Sequence, residues 1–187
     1  MKTSLTILIV VLLQVTAFGQ EAMNTGIIYG KNHAFSLTAP NGWVLDNQSG
    51  ASQGLHAVFY EQGQSWKNAT TVMYANTASL KDEAHQTLER LIKYDLDKFK
   101  KNYSGIQITD GNDIITSESA IAKIKYLSGK SYGNYEAISY IDAGKTAVMI
   151  VLSSRTKDEF ENSLTAFESL VKSYQFMTDK VILDKKE

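Results

Sequence analysis

The chain has no cysteine, one proline and three histidines among its 187 residues, and each shortage closes off a chemistry. Without cysteine there is no disulfide framework, no thiolate nucleophile and no site for lipid attachment. His33, His56 and His85 are scattered with no His-x-x-x-His spacing, so no local zinc motif is legible. Charge of one sign is also missing in excess, with 19 Lys plus Arg against 20 Asp plus Glu. Phosphate binding needs a basic surplus, so nucleic acid is not an expected partner. A hydrophobic content of 43% and a charged content of 21% are those of an ordinary folded domain. A domain of about this size buries roughly 70% of its unfolded surface, so a core without staples can hold it.

Long apolar stretches are absent except for one. Met1, Lys2 and Thr3 precede a run from Leu5 to Phe18, interrupted by little except Thr6, Gln14 and Thr16. That is short for a membrane span, and Ala17-Phe18-Gly19 puts small residues where a secretory signal is cut. The expectation is cleavage before Gln20, export to the periplasm or the medium, and no stable membrane span afterwards. Residues 1–19 are then a signal peptide, 20–33 a short leader, 34–183 a single domain and 184–187 a frayed tail.

The leader contains one brief strand candidate, Ile27 to Tyr29. From Ala34 the alternation of Phe35 and Leu37 with polar residues predicts a strand, ended by the turn Ala39-Pro40-Asn41-Gly42-Trp43 and resumed at Val44 and Leu45. His56 to Glu61 and Thr70 to Ala75 read as strands between polar loops at 47–54 and 62–68. Ser79 and Asp82 have capping-box spacing, which predicts a helix whose Ala84, Leu88, Leu91, Ile92, Leu96 and Phe99 share one face. Ile106 to Ile115 is broken by Asp110-Gly111-Asn112-Asp113 and predicts two short strands. Ala120 to Ser128, Tyr135 to Asp142 and Lys145 to Ser153 are joined closely enough to require antiparallel hairpins. Thr156 and Glu159 form a second capping box before a stripe of Phe160, Leu164, Phe167, Leu170, Val171 and Tyr174, and Val181 to Leu183 reads as a last edge strand.

The run Thr146 to Leu152 is apolar on both alternating faces and must be covered on both sides. Together with two one-sided helices it predicts an α+β fold, an antiparallel sheet sandwiched between helices, with Leu88, Leu91 and Ile92 on one side of that run and Phe160, Leu164 and Phe167 on the other. The opening Phe35-Ser-Leu-Thr-Ala-Pro-Asn-Gly-Trp43 and the close Ser173-Tyr174-Gln175-Phe176 resemble the PsbP/DcrB-like family of α/β/α sandwiches, over about Ala34 to Phe176. In this resemblance the Pro-x-Gly-Trp turn reverses the chain and tucks the Trp43 indole into the core. It implies an extracytoplasmic accessory or assembly protein and supplies no catalytic residue.

Catalytic patterns are missing as well. Ser128-Gly-Lys-Ser131 has Ile124 where a phosphate loop needs glycine, and Asp110, Asn112 and Asp113 lack the glycine and glutamate of a calcium loop. No Gly-x-Ser-x-Gly occurs. No cofactor and no metal are expected. Aromatic residues are the better clue: Trp66 in a polar loop, and Tyr132 and Tyr135 flanking the Gly129 to Gly133 turn, are the candidate ligand- or partner-binding residues, since rings on loops stack on sugars or anchor proteins. The opposing reading of Trp66 is a lid packed over one end of the core. Asn47, Asn68 and Asn102 match the glycosylation acceptor pattern. Three classes of function follow: an exported, non-catalytic binding or assembly protein whose partner is another envelope protein or a glycan; a carrier of a small apolar ligand; and a carboxylate-dependent hydrolase.

Overall fold

A computed structural model describes residues 25–81 and 86–181. The expected signal peptide, its cleavage site, Asp82, Ala84 and the 184–187 tail lie outside the described residues. In chain order the elements are β1 (Thr25–Gly30), β2 (His33–Thr38), β3 (Trp43–Asp46), a 3-10 turn (Ala51–Gln53), β4 (Ala57–Glu61), β5 (Thr71–Ser79), α1 (Leu88–Asn102), β6 (Gln107–Asp110), β7 (Ile114–Ile115), β8 (Ile121–Ser128), β9 (Tyr135–Asp142), β10 (Thr146–Ser154), α2 (Lys157–Lys172) and β11 (Gln175–Thr178).

The antiparallel α+β sandwich is present, with β10 as its middle. The large sheet runs β3-β4-β5-β10-β9-β8-β6, with β7 also paired to β8. All nine residues of β10 pair with β5 on one side, and eight of them with β9 on the other. Alternation then sends Val148, Ile150 and Leu152 to a core shared with Phe160, Phe167, Leu170 and Val171 of α2. Ala147 and Val151 go to a second core shared with Leu88 and Leu91 of α1. One helix therefore covers each face, because a strand apolar on both sides leaves water no face to wet.

Three features depart from the sequence reading. First, the helix does not open at Ser79. The β5 strand continues through Ser79, which pairs with Thr146, and the Leu80 amide donates to the Lys145 carbonyl at 3.0 Å. The fully apolar β10 imposes a full-length partner, and this ladder overrides a capping pattern that is only local. The N-cap of α1 is Thr87, whose hydroxyl accepts from the Arg90 amide at 3.3 Å. At the second predicted cap Thr156 is the N-cap: its hydroxyl accepts from the Glu159 amide and donates to the Glu159 carboxylate at 3.0 Å, while the Thr156 amide donates to the Ser154 hydroxyl at 3.4 Å.

Second, the described strands form two sheets. The short strand expected at Ile27 to Tyr29 spans Thr25–Gly30 and pairs along its whole length with β2, and β11 pairs with the other side of β2. Ile28, Phe35 and Leu37 carry this small sheet into the α2-side core. The turn that holds Pro40 is where the chain changes sheets: the Trp43 amide donates to the Pro40 carbonyl at 3.0 Å, Gly42 has φ +79°, and Trp43 is core at 8% exposure. Third, the closing strand is Gln175–Thr178 rather than Val181 to Leu183. Val181 is not in a strand, and residues 182 and 183 lie outside the described residues. Ser173 makes this return possible by exchanging hydrogen bonds with the backbone of Thr38, accepting at 3.0 Å and donating at 3.2 Å.

Candidate functional site

At the end of the large sheet where β5 begins and β10 ends, two polar loops and a strand terminus enclose a cleft of about 650 Å³. One wall is the β4–β5 loop. Its shape comes from Asn68, whose side-chain oxygen accepts from both the amide and the hydroxyl of Ser65, at 2.8 and 2.7 Å. The Asn68 and Ala69 amides close back on the Ser65 carbonyl, at 3.1 and 2.9 Å. This one-turn clasp holds Trp66 outward from the strand ends. The indole stands edge-on to Tyr74, with centroids 6.4 Å apart and planes at 86°, and is half-buried. Trp66 thus both contacts Tyr74 and lines the cleft.

The opposite wall carries Ser49 and Gln53. Asp46 organises it, accepting from the amides of Gln48 and Ser49 at 2.8 and 2.9 Å and from the hydroxyls of Ser49 and Tyr60 at 2.6 and 2.9 Å. These donors, Ser49 foremost, pull the Asp46 carboxyl down to about 2 by favouring its charged form. Gly50 lets the wall approach the sheet, since a Cβ there would stand 2.5 Å from Cγ1 of Val58.

The floor is Val72, Ser153 and Asn134. Beneath it lies Glu136, 6% exposed, an acid on an inward position of β9. A buried carboxylate needs hydrogen-bond donors, and here they are hydroxyls: Ser153 at 2.7 Å on one oxygen and Tyr132 on the other. The Tyr132 ring is wedged edge-on against Phe99 and Tyr103, at 5.8 and 4.8 Å, so it ties the end of α1 to the β8–β9 hairpin. Nearby, Tyr140 donates to Asp95 of α1 at 2.7 Å. Burial first, then these carboxylates, drive the phenols of Tyr74, Tyr132 and Tyr140 well above the ordinary tyrosine range, so all three are neutral at any physiological pH.

The rim is cationic. Lys67 and Arg155 line the cleft, and neither forms a salt bridge with a described residue. Among the described residues no carboxylate lines this cleft. An indole face, a polar floor and two open cations can stack on and neutralise an anionic, hydroxyl-rich or peptide ligand.

Of the three residues singled out by sequence, only Trp66 lines the cleft. Tyr132 acts from beneath the floor through Glu136 and Ser153. Tyr135 faces the opposite side of the sheet, where its ring packs on Phe160 of α2 at 6.3 Å. Tyr132 lies in the β8–β9 turn and Tyr135 is the first residue of β9, so closeness in sequence does not put the two rings on one face. Sequence reasoning passed over Lys67, Asn134, Ser153 and Arg155; the usable signal was Ser153 and Ser154, polar residues that end an otherwise apolar strand, with Glu136 set in the hydrophobic β9 region. Among the described residues no helix is long and apolar enough to cross a membrane.

No family model matches the chain, and no curated protein is similar to it. Solved structures do match in fold. The solution structure of cyanobacterial PsbP from Synechocystis superposes with a TM-score of 0.50 and 14% identity, over 85% of this chain and 96% of that one. A crystal structure from Bacteroides thetaiotaomicron gives 0.49 and 11%, over 83% of this chain and 49% of the other. The Saccharomyces cerevisiae Ran-binding protein Mog1p gives 0.47 and 9%, over 82% and 96%. The shared property is the fold: this chain has the PsbP-like α+β architecture expected from its opening and closing segments.

Proposed function

With a PsbP-like sandwich as the scaffold, we propose that the chain is an exported, non-catalytic binding or assembly protein of the cell envelope, located in the periplasm or secreted. It engages an envelope protein or a glycan through the cleft beside Trp66. The observation that carries this reading is the placement of a half-exposed indole over a polar floor, with Lys67 and Arg155 at the rim and no salt bridge from either to a described residue. Open cations around an aromatic wall favour a partner that brings carboxylate, sulfate or phosphate groups. The leading apolar run supports export. The floor of Ser153 and Asn134 favours a polar ligand over the lipid-like cargo of a carrier.

The test is Trp66→Ala in the full chain, assayed by glycan array and by recovery of partners from envelope extracts. Loss of a reproducible partner is expected, with a melting temperature lowered by only a few degrees, since the ring is only half-buried. A variant that retains every interaction of the native chain would overturn the proposal.

A further inference from the structure

A second cleft lies away from the Trp66 site, between the turn that precedes β8, the β9–β10 turn and β11, with a volume of about 520 Å³. Glu118, Asp142, Tyr174, Phe176 and Asp179 line it. The residue that draws attention is Tyr174. It is 1% exposed, its ring packs on Phe35 at 5.6 Å, and its hydroxyl has no hydrogen-bond partner. A buried, unpaired hydroxyl costs stability, and a phenylalanine would fill the same space without that cost. The phenol is pushed up to about 12, by burial first and then by the charges of Glu118 and Asp142, two residues that line the same cleft.

Each of those carboxylates commits an oxygen to the backbone: Glu118 accepts from the Phe176 amide at 2.7 Å, and Asp142 from the Gly144 amide at 2.7 Å. An ionised carboxylate has further acceptor positions, so both can take another donor. Asp179 is already neutralised by Lys145 at 2.5 Å. Two carboxylates with open acceptor positions and the Tyr174 side chain therefore line one cleft, beside the 40% exposed ring of Phe176. Among the described residues no three acidic or histidine side chains converge closely enough to hold a metal ion.

We propose that this cleft binds a primary ammonium group, carried on an alkyl chain by a peptide lysine or a free polyamine. An ammonium has three N–H donors, and the cleft offers three acceptors in Glu118, Asp142 and the Tyr174 oxygen. The Phe176 ring covers the methylene stem and adds attraction for the cation. In the complex the Tyr174 oxygen accepts from the ammonium, a bond that its hydroxyl lacks in the free protein.

The experiment titrates the full chain with Nα-acetyl-lysine methylamide and with spermidine at low salt, by calorimetry and by amide NMR. Saturable binding is expected, with shifts at residues 174–176, and acetylation of the lysine ε-amine should abolish it. The Glu118→Gln/Asp142→Asn variant should bind at least about tenfold more weakly, as charge-assisted bonds become neutral ones. The Tyr174→Phe variant should bind severalfold more weakly while melting at or above the native temperature, a combination that a purely structural tyrosine would not give. Stronger binding of the lysine probe assigns a peptide source, and stronger binding of spermidine a free amine. The proposal is overturned if neither amine binds the native chain, if the ε-acetylated probe binds equally well, or if Tyr174→Phe binds like the native protein.

Discussion

Replacing Tyr132 by phenylalanine removes one oxygen and leaves the ring, so its contacts with Phe99 and Tyr103 persist. What disappears is one of the two hydroxyl donors to Glu136, a carboxylate 6% exposed. A hydrogen bond to a charged group contributes about 1.5–3 kcal/mol. Because Tyr132 is itself only half-buried, the lower part of that range applies, about 1.5–2 kcal/mol. For a chain of this length each kcal/mol corresponds to about 2–4 °C, so thermal unfolding should shift downward by roughly 3–8 °C. The cause is isolated by a cycle with Glu136→Gln, followed by circular dichroism and urea titration. In the Glu136→Gln background the Tyr132 change breaks only a neutral pair and should cost about 1 kcal/mol or less. The coupling between the two sites is then about 1 kcal/mol. A Tyr132→Phe protein that melts with the native one, or strict additivity in the cycle, would refute the reading of Tyr132 as the support of the cleft floor.

Two further outcomes test the walls. Gly50→Ala places a Cβ 2.5 Å from Val58; overpacking of this kind costs about 1–3 kcal/mol, and calorimetric unfolding should show it, together with weaker retention of any ligand of the Trp66 cleft. Asp46 has a carboxyl held at about 2 against an unperturbed 3.8. A depressed acid contributes its stability above the unfolded value and loses it as pH falls through the folded one. Stability measured against an Asp46→Asn variant should therefore show the native advantage intact above about pH 5 and lost progressively down to about pH 1; an advantage constant across that interval would contradict the assignment.

The second helix and the hairpins of β8, β9 and β10 were legible in sequence because their signals are local and reinforce each other: capping at Thr156 and Glu159, a 3.6-residue stripe, and glycine turns at the right spacing. Ser79 and Asp82 show the reverse. Their capping pattern is as good as the later one, yet Ser79 ends a strand, because pairing with β10 outweighs a single local cap. The candidate site was legible in one residue, Trp66, whose ring on a polar loop is anomalous by itself. Lys67, Asn134 and Arg155 are ordinary surface residues in sequence and become a rim only when the ends of β5, β9 and β10 meet.

The amino-acid sequence alone determined that a strand apolar on both faces needs two covers, and that two one-sided helices were available to supply them. Periodicity encodes which face of an element avoids water, and this information is carried within the element itself. Only the tertiary structure decided that the first strands form a second sheet with β11, that Tyr132 and Tyr135 part to opposite faces, and that Tyr174 is buried beside two carboxylates. Those outcomes depend on contacts between residues distant in the chain. Their energies appear only after the backbone has brought the partners together.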